Sequence, residues 1–222
     1  MEIAILGGTG DIGRGLALRW ANDTDHGIRI GSRKAAKAER AVADYREQLT
    51  DRGIKADLTA AENQAAARGA DVVVLAAPPH HVADLTKTVA ERLDAGAILV
   101  SPAVGMTRDD AGFHYDPPSA GSVTALVADA APETSPVVGA YHNLAAKRLS
   151  TLDAELGVDT VVLADDEEAK TVVMELTEEI DGLRALDGGG LANAAEVESI
   201  TPLLINLAMN NDGMHDLSVR FS

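Results

Sequence analysis

The sequence places Gly8-Thr9-Gly10-Asp11-Ile12-Gly13, a GxGxxG run, close to its start. Between a strand and a helix, such a run holds the pyrophosphate of a dinucleotide. Gly8 gives a tight turn, Gly10 lets the backbone approach the pyrophosphate, and Gly13 lets the helix pack on the strand. The helix N-terminus adds free N–H groups and the positive end of its dipole. Thr9 brings a hydroxyl donor.

A second group lies about 20 residues on, where NAD-binding chains carry an acidic residue for the ribose 2′-hydroxyl. This chain has Gly31-Ser32-Arg33-Lys34 there. No acidic residue occurs from His26 to Ala38, while Arg29, Arg33, Lys34 and Lys37 all do. Cations at a helix N-terminus oppose its dipole, and Arg33 and Lys37 share a helix face at i,i+4. A bound anion resolves the conflict, and the 2′-phosphate of NADP is the anion positioned there.

Three further segments read as strand ends: Ala76-Ala77-Pro78-Pro79-His80-His81, Val100-Ser101-Pro102-Ala103-Val104-Gly105 and Ala140-Tyr141-His142-Asn143. In a doubly wound sheet, ligands lie across such ends. The prolines build apolar walls without donors, suited to a flat ring. Of the six histidines, His142 is the candidate for a positioning role, His26 and His114 read as solvated, and the role of His215 is open. His80 and His81 diverge as neighbours and lack a third ligand, so no metal site is expected. Neither a Walker lysine, an HExxH pair nor a supported Ser/His/Asp set is present. The loop also lacks an evident Lys or Tyr acid, which ketone and imine reductases need beside the hydride. That points to hydride transfer and little else.

These residues need an α/β frame. Short apolar runs alternate with helical patterns, which predicts βαβ units and a Rossmann-type, doubly wound, mainly parallel sheet. The predicted strands are Glu2–Leu6, Ile28–Gly31, Ile54–Leu58, Asp71–Ala77, Ala97–Ser101, Val137–His142, Thr160–Ala164 and Leu183–Leu186. Helices are predicted over Ile12–Ala21, Ala35–Leu49, Val82–Leu93, Ser119–Ala131, Glu167–Ile180 and Leu191–Met209. Thr59-Ala60-Ala61-Glu62 reads as a capping box opening another helix, and a long Gly/Pro loop is expected to reach Pro118. Residues 1–150 form the expected NADP-binding domain. Residues 151–222 form a smaller C-terminal α/β part that completes the cleft.

Charge and composition narrow the partners. The chain has 222 residues, with 35 Asp and Glu against 19 Lys and Arg, for a net charge of −16. Such a surface argues against nucleic acid and against anionic membrane. Cysteine is absent, which excludes disulfides and thiolate metal sites. The start, MEIAILGGTG, has no basic n-region and reads as a buried strand rather than a signal peptide. A soluble cytoplasmic protein is expected. Few lysines and many carboxylates also fit work in concentrated salt, where screening relieves the repulsion.

These residues resemble the coenzyme F420-dependent NADP oxidoreductases of archaea and some bacteria. The likeness runs through LGGTGDIGRGLALR, IGSRKAAKAE, VSPAVGM, EIDGLRALDGG and VESITPLLINLAMNNDGM. With the acidic composition it points to a halophilic archaeon. It implies a Rossmann domain with a smaller C-terminal part, a homodimer, and direct hydride transfer between NADP(H) and the 8-hydroxy-5-deazaflavin coenzyme F420, a co-substrate. By resemblance Thr9, Gly10, Asp11 and Ile12 line the pyrophosphate, while Ser32, Arg33 and Lys37 hold the 2′-phosphate. Ala77, Pro78 and Ser101, Pro102 and Val104 flank the nicotinamide, and His142 and Asn143 lie near both rings. The chain departs from the family's pattern at Pro79-His80 and after His142, where a proline is expected. The residues alone leave two alternatives open: an NADP-dependent imine or 6-phosphogluconate-type reductase, and a non-catalytic NADP(H)-sensing protein.

Overall fold

A computed structural model describes residues 1–222. In chain order the elements are β1 (Glu2–Leu6), α1 (Asp11–Asp23), β2 (Gly27–Ser32), α2 (Ala35–Asp51), β3 (Leu58–Glu62), α3 (Asn63–Ala67), β4 (Val72–Leu75) and α4 (Pro79–Val89). Next come β5 (Ile98–Ser101), β6 (Met106–Asp109), β7 (Gly112–Tyr115), α5 (Val123–Ala130), β8 (Val137–Gly139) and α6 (Ala146–Ser150). The chain then forms β9 (Val158–Ala164), α7 (Glu167–Glu178), β10 (Leu183–Asp187), α8 (Ala194–Glu198) and α9 (Ile200–Asn210).

Eight strands make one sheet in the order β10-β9-β8-β5-β4-β1-β2-β3, and β6 and β7 pair separately as a hairpin. Every neighbouring pair in the sheet is parallel except β8 and β9. The central strands β1, β4 and β5 are apolar and almost wholly buried, because helices cover both faces of a doubly wound sheet. Alternation along β1 sends Ile3 and Ile5 into one core with Leu16, Trp20 and Val42. Ala4 and Leu6 enter the core on the opposite face with Val82, Val123 and Val127.

Several local expectations shift. Thr59–Glu62 is not a helix start but part of β3, because Leu58–Glu62 pairs in register with Ile28–Ser32 and extends the sheet. The helix begins only at Asn63. The predicted loop before Pro118 holds the β6–β7 hairpin, whose exposed β6 gives no apolar alternation to read. Val137–His142 stops as a strand at Gly139, since Tyr141 turns into the left-handed region with φ 68°. Leu191–Met209 breaks at Ser199 into α8 and α9. Pro202 sits in the first turn of α9, where its missing N–H costs no helical hydrogen bond.

Two buried polar side chains fasten the C-terminal elements to α1. Arg19 donates to the carbonyls of Leu149, Arg148, Thr151 and Ala154 at 2.9, 3.2, 2.8 and 2.8 Å. Trp20 donates Nε1–H to the Leu176 carbonyl at 3.0 Å and meets the Tyr141 ring edge-on at 5.8 Å.

Candidate active site

The parallel strands end on one edge of the sheet, and the loop between β1 and α1 opens a cleft of about 740 Å³ there. Gly7 takes the left-handed turn with φ 75°; a Cβ at this position would stand 2.5 Å from the Ala76 carbonyl oxygen. The tight turn therefore falls at Gly7, one residue before the expected Gly8. Gly8 is buried instead by close approach, since its Cβ would lie 2.7 Å from the Ile5 carbonyl oxygen. At Gly13, which carries α1 onto this loop, a Cβ would come within 2.7 Å of the Gly8 Cα. Asp11 opens α1, where a carboxylate suits the dipole, and Ile12 packs partly buried against the core beneath.

Tyr45, which sequence reasoning missed, holds this loop from behind. Its hydroxyl donates to the Gly8 carbonyl at 2.8 Å, and Arg14 lies over its ring at 5.5 Å. Burial pushes the phenol up to about 12, so it remains a donor. The available signal was the apolar stripe Ala38, Val42, Tyr45 and Leu49 on α2, on which one member carries a polar tip.

Two helix N-termini face the cleft without side-chain caps. The cap residue of α1 is Gly10, and that of α2 is Lys34. Arg33, Lys34 and Lys37 surround the second, with Ser32 beside them, and all four line the cleft. None of the three cations takes part in an ion pair. Uncapped amides and unpaired cations together make a seat for a phosphate. The opposite wall comes from Ala76, Ala77 and Pro78 at the end of β4 and from α4. Asn63, also unforeseen, reaches the cleft from the start of α3. Thr9, Gly10, Ser32, Arg33, Lys37, Ala77 and Pro78 are therefore brought together, as the sequence led one to expect.

The remaining candidates sit behind this surface. Ser101, Pro102 and Val104 are buried, and the Ser101 hydroxyl has no hydrogen-bond partner. His142 is also buried; its Nε2 lies 3.2 Å from the Thr124 hydroxyl oxygen, and its Nδ1 has no partner. Loss of water around the ring pushes its pKa down to about 4, so the imidazole is neutral near pH 7. Asn143 donates to the Asp159 carbonyl at 2.7 Å and borders a separate apolar groove beside α9 that also takes in His215. The His80 and His81 rings lie with centroids 4.2 Å apart and planes tilted by 51°, and only His81 reaches the cleft. Nowhere do three His, Cys, Asp or Glu residues gather as metal ligands. No helix is long and apolar enough to cross a membrane.

A family model described as NADP oxidoreductase, coenzyme F420-dependent, matches residues 2–105. The F420-dependent NADP reductase of Methanocaldococcus jannaschii is 44% identical over 209 residues, covering 93% of this chain and 92% of that protein. The enzyme of the same name from Methanothermobacter thermautotrophicus is 36% identical, over 95% of this chain and 90% of its own length. Among solved structures, one from Arthrobacter sp. FB24, assigned as an F420-dependent NADP-reductase, superimposes with a TM-score of 0.81 at 25% identity, covering 100% of this chain and 99% of that one. A pyrroline-5-carboxylate reductase from Coxiella burnetii shares the fold, with a TM-score of 0.61 at 22% identity over 94% of this chain and 67% of its own.

Proposed function

The chain belongs to the coenzyme F420-dependent NADP oxidoreductase family, and on that premise we propose that it passes a hydride directly between NADP(H) and the deazaflavin F420. The observation that carries this reading is the phosphate seat. In a chain of net charge −16, three unpaired cations gather at one uncapped helix N-terminus beside a second one. The two seats suit the pyrophosphate and the 2′-phosphate of one NADP(H).

Bound NADP(H) and F420 supply the hydride donor and acceptor, both two-electron carriers. The chain's own residues fix where the rings lie. The free amides at the start of α1, just after Gly10, hold the pyrophosphate, and Ser32, Arg33 and Lys37 hold the 2′-phosphate. Ala77 and Pro78 give the nicotinamide an apolar wall, backed by Ser101, Pro102 and Val104. His142 and Asn143 stiffen the strand end behind both rings. Positioning at about 3–3.5 Å supplies most of such a rate, and no protein acid is required at the accepting carbon.

Residues 1–150 serve as the NADP-binding unit, which supplies the whole lining of this cleft, and 151–222 as the smaller C-terminal unit. The exposed Leu203, Leu207 and Met209 of α9 support a homodimer joined through this face, in the cytoplasm; light scattering reads its mass. The function is tested by mixing the protein with NADPH and oxidised deazaflavin and following the deazaflavin absorbance. Bleaching is expected. A stable absorbance, with turnover on cyclic imines or keto acids instead, would overturn the reading.

A further inference from the structure

We propose that Asp84 accepts a hydrogen bond from the 6-amino group of the adenine ring, making the cleft selective for adenine dinucleotides over hypoxanthine ones. The proposal rests on the assignment of the cleft to NADP(H). Four residues of α4 face the cleft, His81, Asp84, Leu85 and Thr88, at the i, i+3, i+4, i+7 spacing of a single helical stripe. They lie opposite the cations that follow β2.

Asp84 is the one carboxylate among the lining residues. Its side chain forms no ion pair with any of the cations across the cleft. A carboxylate in an anion site opposes the ligand unless the ligand offers it a donor. The adenosine half of NADP(H) offers the 6-amino group and one ribose hydroxyl. The helix begins at Pro79, beside the pyrophosphate loop, and Asp84 stands about 7 Å further along its axis. That displacement leads away from the pyrophosphate and towards the base. Leu85 presents an apolar surface to one face of the ring, and the planar guanidinium of Arg33 suits the other.

Asn63 strengthens the assignment by exclusion. Its Oδ1 is buried without a partner against Gly31, where a Cβ would stand 2.9 Å away. With its Oδ1 buried against Gly31, Asn63 offers the cleft no carbonyl acceptor for an amine. The Thr88 hydroxyl spends its proton within α4, on the Asp84 carbonyl at 2.7 Å, which leaves it an uncharged and so weaker acceptor than the Asp84 carboxylate. Acceptance of the amine falls to the Asp84 carboxylate.

The test measures equilibrium binding of NADPH and of its reduced hypoxanthine analogue by dihydronicotinamide fluorescence, using wild type, Asp84→Ala and Asp84→Asn. Asp84 is exposed, so both variants are expected to keep the wild-type melting temperature. Wild type should prefer NADPH by about tenfold, the size of one hydrogen bond to a charged group. Asp84→Ala should erase the preference by weakening NADPH alone. Asp84→Asn, whose amide can donate to the 6-oxo group, should favour the analogue. No preference in wild type, or a ratio unmoved by either substitution, would overturn the role of Asp84. A parallel gain for both ligands in Asp84→Ala, the sign of simple repulsion, would also overturn it. Failure of wild type to bind either dinucleotide would remove the cleft assignment, whereas failure to reduce deazaflavin would leave the binding test standing.

Discussion

Thr124 gives Glu198 two hydrogen bonds, one from its amide at 2.9 Å and one from its hydroxyl at 3.0 Å. The wholly buried Glu198 also accepts from the amide of Val123 and the hydroxyl of Tyr115, each at 3.0 Å. A carboxylate on α8 thus closes the N-terminus of α5, where the dipole favours negative charge. Burial first, and then this carboxylate, push the Tyr115 phenol far up. Glu198→Ala strands four donors and should cost about 3–5 kcal/mol. Thermal unfolding followed by circular dichroism should show a Tm lower by roughly 10 °C.

His142 predicts an acid-sensitive fold. Its folded pKa lies near 4, below the usual value of about 6.5. The unfolded chain therefore binds the proton first as pH falls through that window. Stability is full above about pH 6.5 and declines towards pH 4, by an amount on the order of 3 kcal/mol. Urea unfolding of wild type and His142→Gln at pH 7, 5.5 and 4.5 should show their difference shrinking with acid. A constant difference would exclude the mechanism.

Arg33 is expected to separate the two nicotinamide coenzymes. Its guanidinium lines the cleft at the end of β2 without an ion-pair partner. Arg33→Ala should weaken NADPH by about 10- to 100-fold, the range for a lost charge-assisted contact. NADH, without the 2′-phosphate, should change by no more than about threefold. Equal losses would remove the 2′-phosphate assignment.

Gly13 gives the opposite signature. A methyl group there would stand 2.7 Å from the backbone at Gly8, which must shift and carry the pyrophosphate loop with it. Gly13→Ala should weaken NADPH and NADH together by about tenfold, with 1–3 kcal/mol lost in stability. Isothermal titration against both coenzymes checks it.

The net charge of −16 should make stability depend on salt. Screening shortens the reach of repulsion to about 3 Å at 1 M. The melting temperature should rise from low salt to molar KCl, and a flat profile would exclude adaptation to concentrated salt.

The lining of the cleft along β1–α1 and β2–α2 was legible because its signals are local. Gly8 to Gly13, and the cations from Arg33 to Lys37, sit in short windows with few readings. Tyr45, Asn63 and Asp84 were not, because Tyr45 supports the loop from behind and the other two reach the cleft from other elements, and only the folded chain shows which faces meet. Thr59–Glu62 misled because a capping pattern competed with strand pairing, and the neighbouring β2 decided the outcome. The buried state of His142 was hidden for a similar reason: Thr124, which meets its ring, and Thr201, which donates to its carbonyl, lie far away in sequence.

The antiparallel step between β8 and β9 polarises the molecule. It sends the residues after β9 to the edge opposite the nucleotide loop, where Glu133, Asp165, Asp166 and Glu168 border one shallow groove. Arg33, Lys34 and Lys37 stand at the other end. A polyphosphate diffusing towards this acidic protein is turned away from one pole and drawn to the other, so the overall charge helps to select the direction of approach.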